Sequence, residues 1–254
     1  MRNPDTYKGF VYQKKCAFLL LLNELVDETG VIAFRMEHPK GDDFDLVYQN
    51  GIRIYQTKEV ANPNMPEFLA KMWRRYTENM RPGEHRDIAL GFIFSMDHST
   101  NECFVSLSAN NITPALMRIK DETDKDGNSI VNVSSDAEWH QFLKPITVEV
   151  RPDSQVETEL NRAISYMFID YGLPKSDRKS IYHEFLSRLD EIMVSGREVP
   201  EKEIREIIHA WFVRNSLDHP LIKDAVLAAS QQRISELKQY KQPESPITGD
   251  GTLP

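Results

Sequence analysis

The chain has 254 residues, enough for one large domain or two small ones, and 40% of them are hydrophobic, which suffices for an ordinary core. No apolar run approaches the roughly 18 residues a membrane-spanning helix needs, and no membrane partner is expected. The net charge of −8 argues against a bulk basic surface for nucleic acid.

That charge is unevenly spread. Residues 1–88 hold 13 Lys+Arg and 13 Asp+Glu, whereas residues 89–254 hold 18 and 26. A nucleic acid would therefore be gripped by local positive groups in the first part or by partner subunits. The opening residues lack the apolar stretch of a secretory leader. Cys16 and Cys103 stand alone, without metal-ligand spacing, so a reduced, cytoplasmic setting is expected.

In chain order, residues 7–29 read as a helix. Phe10, Val11, Ala17, Phe18, Leu21, Leu22, Leu25 and Val26 recur at helical spacing, and Gly30 is the stop. Residues 31–37 are rich in β-formers and end in Glu37, before Pro39 and Gly41 break the strand. Two alternating runs follow, 43–49 and 52–58, flanking Asn50-Gly51. Such a dipeptide between alternating runs predicts a two-residue hairpin turn with positive φ at both residues. A turn there sets Gln49 opposite Ile52, Val47 opposite Ile54, Asp45 opposite Gln56 and Asp43 opposite Lys58. With side chains alternating faces, Asp43, Asp45, Gln56 and Lys58 project from one face. Cross-strand partners lie about 5 Å apart at Cβ, close enough for one hydrated cation to touch several of these groups.

A second helix is expected over 67–80, with Phe68, Leu69, Met72, Trp73 and Tyr76 as its apolar stripe and Pro82-Gly83 as its stop. Lys71, Arg74 and Arg75 lie on its flank. They read equally as a grip on a DNA backbone or as a solvated face. Residues 87–95 are nearly all apolar and predict a strand covered on both faces. Residues 104–107 and 146–150 are further strand candidates. Residues 121–136 read as a polar surface excursion. Glu122, Asp124, Asp126 and Gly127 open like a calcium loop, but the twelfth position is Val133, where a bidentate Glu is needed. Helices are expected over 156–171, 177–195, 201–215 and 219–240. The Pro- and Gly-rich tail, 242–254, reads as disordered. The division expected is 1–150 as one core, 151–241 as a helical region for oligomerisation or docking, and then the tail. No Gly-rich phosphate loop and no His-Glu-x-x-His spacing is present. Trp73, Trp139 and Trp211 read as packing anchors.

A helix, three strands, a helix and a strand, with Gly9-Phe10-Val11-Tyr12-Gln13 on the first helix, Glu37, the cluster Asp42-Asp43-Phe44-Asp45, and Tyr55-Gln56-Thr57-Lys58 on the third strand, resembles the PD-(D/E)XK nuclease superfamily in its Gln-x-Lys branch. Within it the chain is similar to the nuclease domain of CBASS effectors and to the nuclease subunit of Lamassu (Ddm-type) defence. The resemblance covers about residues 7–95. It implies an α/β fold, an αβββαβ restriction-endonuclease-like core carrying a helical C-terminal region. It further implies that Asp45 ligates a metal, that Gln56 replaces the usual second acid, and that Lys58 is the catalytic lysine. By the same resemblance Gln13 is expected to help order the site, Glu37 to be an extra ligand, and Asp43 to stand close behind the ligands. Mg2+ is the implied cofactor, with Mn2+ as a substitute. Double-stranded DNA, an SMC-like ATPase with an accessory subunit, and a homo-oligomer in the active state are the implied partners. The activity expected is that of a metal-dependent DNA endonuclease effector in anti-phage or anti-plasmid defence.

The chemistry of these residue types agrees with such a role. Phosphodiester cleavage builds charge on the phosphate that a divalent cation offsets, magnesium is content with one or two carboxylates and several waters, and a nearby lysine can stabilise the transition state. A neutral Gln56 ligates without adding charge, which leaves two other readings open. The hairpin could carry ordinary surface charges, with Asp43 and Lys58 a simple cross-strand ion pair. Alternatively, the chain could be a catalytically degenerate nucleic-acid-binding or scaffolding subunit.

Overall fold

A computed structural model describes residues 4–27, 29–36, 43–60, 63–80, 87–167 and 197–206, with single positions at 183, 187, 191 and 231. The chain divides into two compact units, residues 1–205 and 206–254, and nearly all of the second lies outside the described residues. So do Glu37, Asp42, Trp211 and most of the helices expected after residue 171.

The elements are α1 (Pro4–Val26), β1 (Val31–Met36), β2 (Phe44–Tyr48), β3 (Gly51–Lys58), α2 (Met65–Asn79), β4 (Asp87–Phe94), α3 (Glu102–Ser108), α4 (Pro114–Ile119), α5 (Asp136–Leu143), β5 (Ile146–Val150), α6 (Asp153–Met167) and β6 (Val199–Pro200). The first six follow the order α, three β, α, β. The sheet runs β5-β4-β3-β2-β1-β6. Strands β1, β2 and β3 pair antiparallel, and β3, β4 and β5 pair parallel. The protein is therefore mixed α/β. Among the described residues no helix is long and apolar enough to cross a membrane.

Period-two alternation decides which residues each layer covers. Val47, Ile52, Ile54, Ile88, Leu90, Phe92 and Phe94 join one apolar cluster with Phe68, Leu69, Met72, Trp73 and Tyr76 of α2 and with side chains of α3, α4 and α5. Its aromatic centre is Trp73 edge-on to Trp139 and Phe142, with centroids 5.9 and 5.3 Å away. The indole N–H of Trp73 donates to the Asn132 carbonyl, and that of Trp139 to the Leu116 carbonyl, so both polar edges are satisfied. Both tryptophans are packing anchors. On the other layer α1 is almost wholly buried from Tyr12 to Leu22. It packs with α6, to which Lys15 is tied by an ion pair with Asp153 at 2.9 Å.

Two expectations are corrected. The hairpin register is Tyr48↔Gly51, Val47↔Ile52, Leu46↔Arg53 and Asp45↔Ile54, so the bend falls at Gln49-Asn50, one residue earlier than Asn50-Gly51. Neither Asn50 nor Gly51 has positive φ. Gly51 is instead a strand residue whose missing Cβ admits the Asp87 carbonyl, since a Cβ there would lie 2.6 Å from that oxygen. The shift is even in sequence, so Asp45, Gln56 and Lys58 keep their common face, whereas Asp43 lies one residue outside β2. The second correction concerns 104–107, expected as a strand. It lies in α3, because Asn101 caps a helix by accepting a hydrogen bond from the Phe104 N–H at 3.1 Å. The polar excursion closes on Asp124, which accepts from the backbone N–H groups of Asp126 and Asn128.

Candidate functional site

Strand β3 ends at Lys58, beside the ends of its parallel neighbours at Phe94 and Val150. The crevice outside the carboxyl ends of parallel strands is where open α/β sheets bind ligands. Asp43 enters β2 at this same end. Its N–H donates to the carbonyl of Tyr55, the partner of Phe44, at 3.1 Å and so ties Asp43 to β3.

The side chain of Asp43 is held from several directions. Its Oδ2 accepts hydrogen bonds from the Thr57 backbone N–H and from the Thr57 hydroxyl, the latter at 2.7 Å. Its Oδ1 faces the Lys58 ammonium at 3.5 Å. From the opposite layer, Gln13 of α1 donates from Nε2 to the Asp43 carbonyl oxygen at 3.2 Å. Gln13 is buried, as are Asp43 and Thr57, while Lys58 keeps partial access to solvent. The Lys58 ammonium also lies 5.6 Å from the centre of the Phe68 ring, a cation–π contact that steers the lysine.

Asp45 has a different environment. It is fully buried, and its Oδ2 accepts from Arg75 Nη2 at 2.6 Å, with Arg35 Nη1 3.9 Å away. Arg75 is itself 3% exposed and reaches on to Glu78 at 3.1 Å. The expectation that Arg75 lies on a solvated flank is thereby corrected, since a guanidinium committed to an internal carboxylate cannot grip a DNA backbone. Its position in α2, within the apolar stripe's reach of the sheet, turns it inward. Arg74 is exposed, and Lys71 forms an exposed pair with Glu67 at 2.8 Å. The Glu67 carboxyl is held below its ordinary range by the Lys71 hydrogen bond, with Lys71 and Lys58 charges adding to it. Glu67 thus belongs to the electrostatic surroundings of Lys58.

The residues expected in one constellation therefore separate. Asp43 and Lys58 meet at the strand ends, Gln56 precedes Lys58 on the same face of β3, and Gln13 holds the Asp43 carbonyl. Asp45 shares their face but is enclosed by arginines. Glu37 is outside the described residues. Among the described residues no three His, Cys, Asp or Glu side chains come together as a metal-binding group. The oxygen donors at hand, the Asp43 carboxylate and the Gln56 amide, nevertheless fit magnesium in kind, since that ion takes hard oxygens and retains waters. Thr57 and Arg35 were not singled out in the sequence. Thr57 occupies the variable position of the Gln-x-Lys stretch, and its role depends on a contact 14 residues away.

A second crevice, of about 360 Å3, lies at the opposite end of the hairpin, lined by Tyr48, Asn50, Arg53 and Asp87 among others. Arg53 there pairs with Glu24 at 2.7 Å and stacks 4.8 Å from the Tyr48 ring centre. Those contacts brace the hairpin to α1.

No family model matches the chain, and no curated protein matches it in sequence. Solved structures do match it. The Cap4 SAVED/CARF-domain containing receptor of Acinetobacter baumannii is similar at a TM-score of 0.51 and 13% identity, over 83% of this chain and 47% of that one. The same receptor with the cyclic trinucleotide 3'3'3'-cAAA gives a TM-score of 0.51 and 13% identity, over 83% of this chain and 48% of the receptor. The Moraxella osloensis Cap4 SAVED/CARF-domain containing receptor gives 0.51 and 13%, over 84% and 48%. The likeness is one of fold, and the chain spans about half the length of the receptors it matches.

Proposed function

We propose that the chain is a divalent-cation-dependent DNA endonuclease, the effector subunit of a bacterial anti-phage or anti-plasmid defence assembly, built on a restriction-endonuclease-like core. The observation that carries this reading is the Asp43 carboxylate held 3.5 Å from the Lys58 ammonium at the carboxyl end of β3, with Gln56 on the same face. The fold likeness to Cap4 receptors supports the defence setting.

In this reading Asp43 and Gln56 would hold magnesium, with Glu37 as a further donor. The ion would supply Lewis-acid stabilisation of the charge that develops on the scissile phosphate. The chain's own groups do the rest. Lys58, kept near Asp43 and Phe68, donates hydrogen bonds to a non-bridging phosphate oxygen or to the attacking water. The carboxylate of Asp43 orients the ammonium. Gln13 and Thr57 fix the Asp43 backbone and side chain, so the group is ordered before substrate arrives. Arg74 and Lys71, within two turns of Phe68 along α2, provide contacts to the DNA backbone. The SMC-like ATPase, its accessory subunit and self-assembly in the active state rest on the family resemblance alone.

Plasmid cleavage in magnesium tests this function. The parent should nick or linearise supercoiled DNA, while Lys58→Ala and Asp43→Asn should not. A Lys58→Ala protein as active as the parent sinks it.

The single carboxylate among the described site residues favours one competing reading, a non-catalytic nucleic-acid-binding or scaffolding subunit. That reading expects DNA to be bound but uncut in Mg2+ or Mn2+. Specific binding of a cyclic trinucleotide by a parent that cuts no DNA would instead favour a sensing role, as the ligand in one of the Cap4 structures suggests.

A further inference from the structure

We propose that Thr57 is a positioning residue that selects which oxygen of Asp43 is offered to a cation; this rests on the reading of Asp43 as a cation ligand. The geometry is specific. Both hydrogen-bond donors of Thr57, its backbone N–H and its hydroxyl, converge on the same oxygen, Oδ2 of Asp43. A carboxylate oxygen offers about two lone-pair directions. Two donors saturate Oδ2 and turn Oδ1 toward Lys58, 3.5 Å away, on the face shared with Gln56.

The backbone N–H is fixed by the strand and would be present with any residue at 57. The hydroxyl is what the side chain adds. Thr57 is 4% exposed, so water does not readily replace that donor. Without it, Oδ2 keeps one partner and the carboxylate can rotate about its χ2 bond, which is broad for Asp. The Gln13 contact cannot compensate, because it holds the Asp43 main-chain carbonyl and leaves the side-chain torsion untouched. Partners behind a metal-ligating group typically change metal affinity by about 10- to 100-fold when removed.

The test is Mn2+ binding to the full chain without DNA, followed by the ion's paramagnetic resonance signal or by calorimetry. Thr57→Val and Thr57→Ala lose the hydroxyl by two different changes in volume, whereas Thr57→Ser keeps it and loses only the methyl. Both hydroxyl-free variants should bind Mn2+ at least about 10-fold more weakly than the parent, and Thr57→Ser should bind within about twofold of it. Parent-like affinity in Thr57→Val or in Thr57→Ala overturns the proposal. So does a Thr57→Ser protein weakened as much as Thr57→Ala, since the methyl's packing would then be responsible. Asp43→Asn separates this from the underlying reading. If it binds Mn2+ as tightly as the parent, Asp43 is not a ligand and the endonuclease site is misassigned. If it loses the ion while the Thr57 variants do not, only the role of Thr57 fails.

Discussion

Arg75 closes over Asp45. The guanidinium Nη2 sits 2.6 Å from Oδ2 of a carboxylate with no solvent exposure, and Arg75 is 3% exposed itself. The pair links α2 to β2 inside the protein. Breaking such a pair from one side strands the other charge in the interior.

Replacing Arg75 with Met should accordingly destabilise the chain by about 3–5 kcal/mol, whereas the double replacement Asp45→Asn/Arg75→Met should cost clearly less. Denaturant unfolding of the three proteins measures this. An Arg75→Met protein within about 0.5 kcal/mol of the parent would show that the carboxylate has another way to be neutralised.

The positive groups of α2 are expected to divide by exposure. Lys71→Ala and Arg74→Ala should each flatten the plot of log binding constant against log salt by about one unit for DNA of any sequence. A fall in DNA affinity in Arg75→Met should track the loss of folded protein and leave the slope alone. Equal slopes for the parent and the Lys71→Ala/Arg74→Ala protein would remove α2 from the nucleic-acid surface.

His98 gives a pH dependence. It is 4% exposed between the rings of Phe94 and Phe104, with centroids 5.0 and 5.3 Å away. Burial holds its imidazole below the ordinary value of 6.5, against a smaller opposing pull from Asp97. The unfolded chain then binds the proton more readily than the folded one. The stabilising effect of a neutral His98 is complete above about pH 6.5 and falls away as the pH drops from there toward the depressed folded value. Thermal melts of the parent should decline over that window more steeply than those of His98→Phe. Parallel curves would show that other groups set the acid limit.

Gly91 should tolerate no side chain. A Cβ there would lie 2.5 Å from Cδ1 of Tyr55, and that ring cannot step aside easily because it stacks on Phe44 with centroids 4.9 Å apart. Gly91→Ala should cost about 1–3 kcal/mol in denaturant unfolding. A double variant Gly91→Ala/Tyr55→Leu should recover part of it by removing the ring from the contact. No difference between single and double variants would place the strain elsewhere.

The order of the first six elements was legible because each run carries its own period. The helical stripe of α1, the alternation of β2 and β3 and the apolar run of β4 are local signals. The common face of Asp45, Gln56 and Lys58 was legible too, since parity survives a two-residue error in pairing. What was not legible depended on distant neighbours. Asn50-Gly51 reads as a turn, yet the approach of the Asp87 carbonyl from β4 is what Gly51 serves. Phe104–Leu107 has the composition of a strand, but the Asn101 side chain caps it as a helix. Asp43 and Asp45 are two residues apart and look equivalent. Only the arrival of Arg75, 30 positions later, encloses one, while Thr57 and Gln13 hold the other at the strand ends.

At the outer margin of the sheet, β6 contributes two residues, paired as Ala33↔Pro200 and Phe34↔Val199. Proline has no amide hydrogen to give. The last rung of this flank therefore offers an incoming extended segment an interrupted template. Among the described strands, β6 is thus a poor seed for growth of the sheet by simple strand addition.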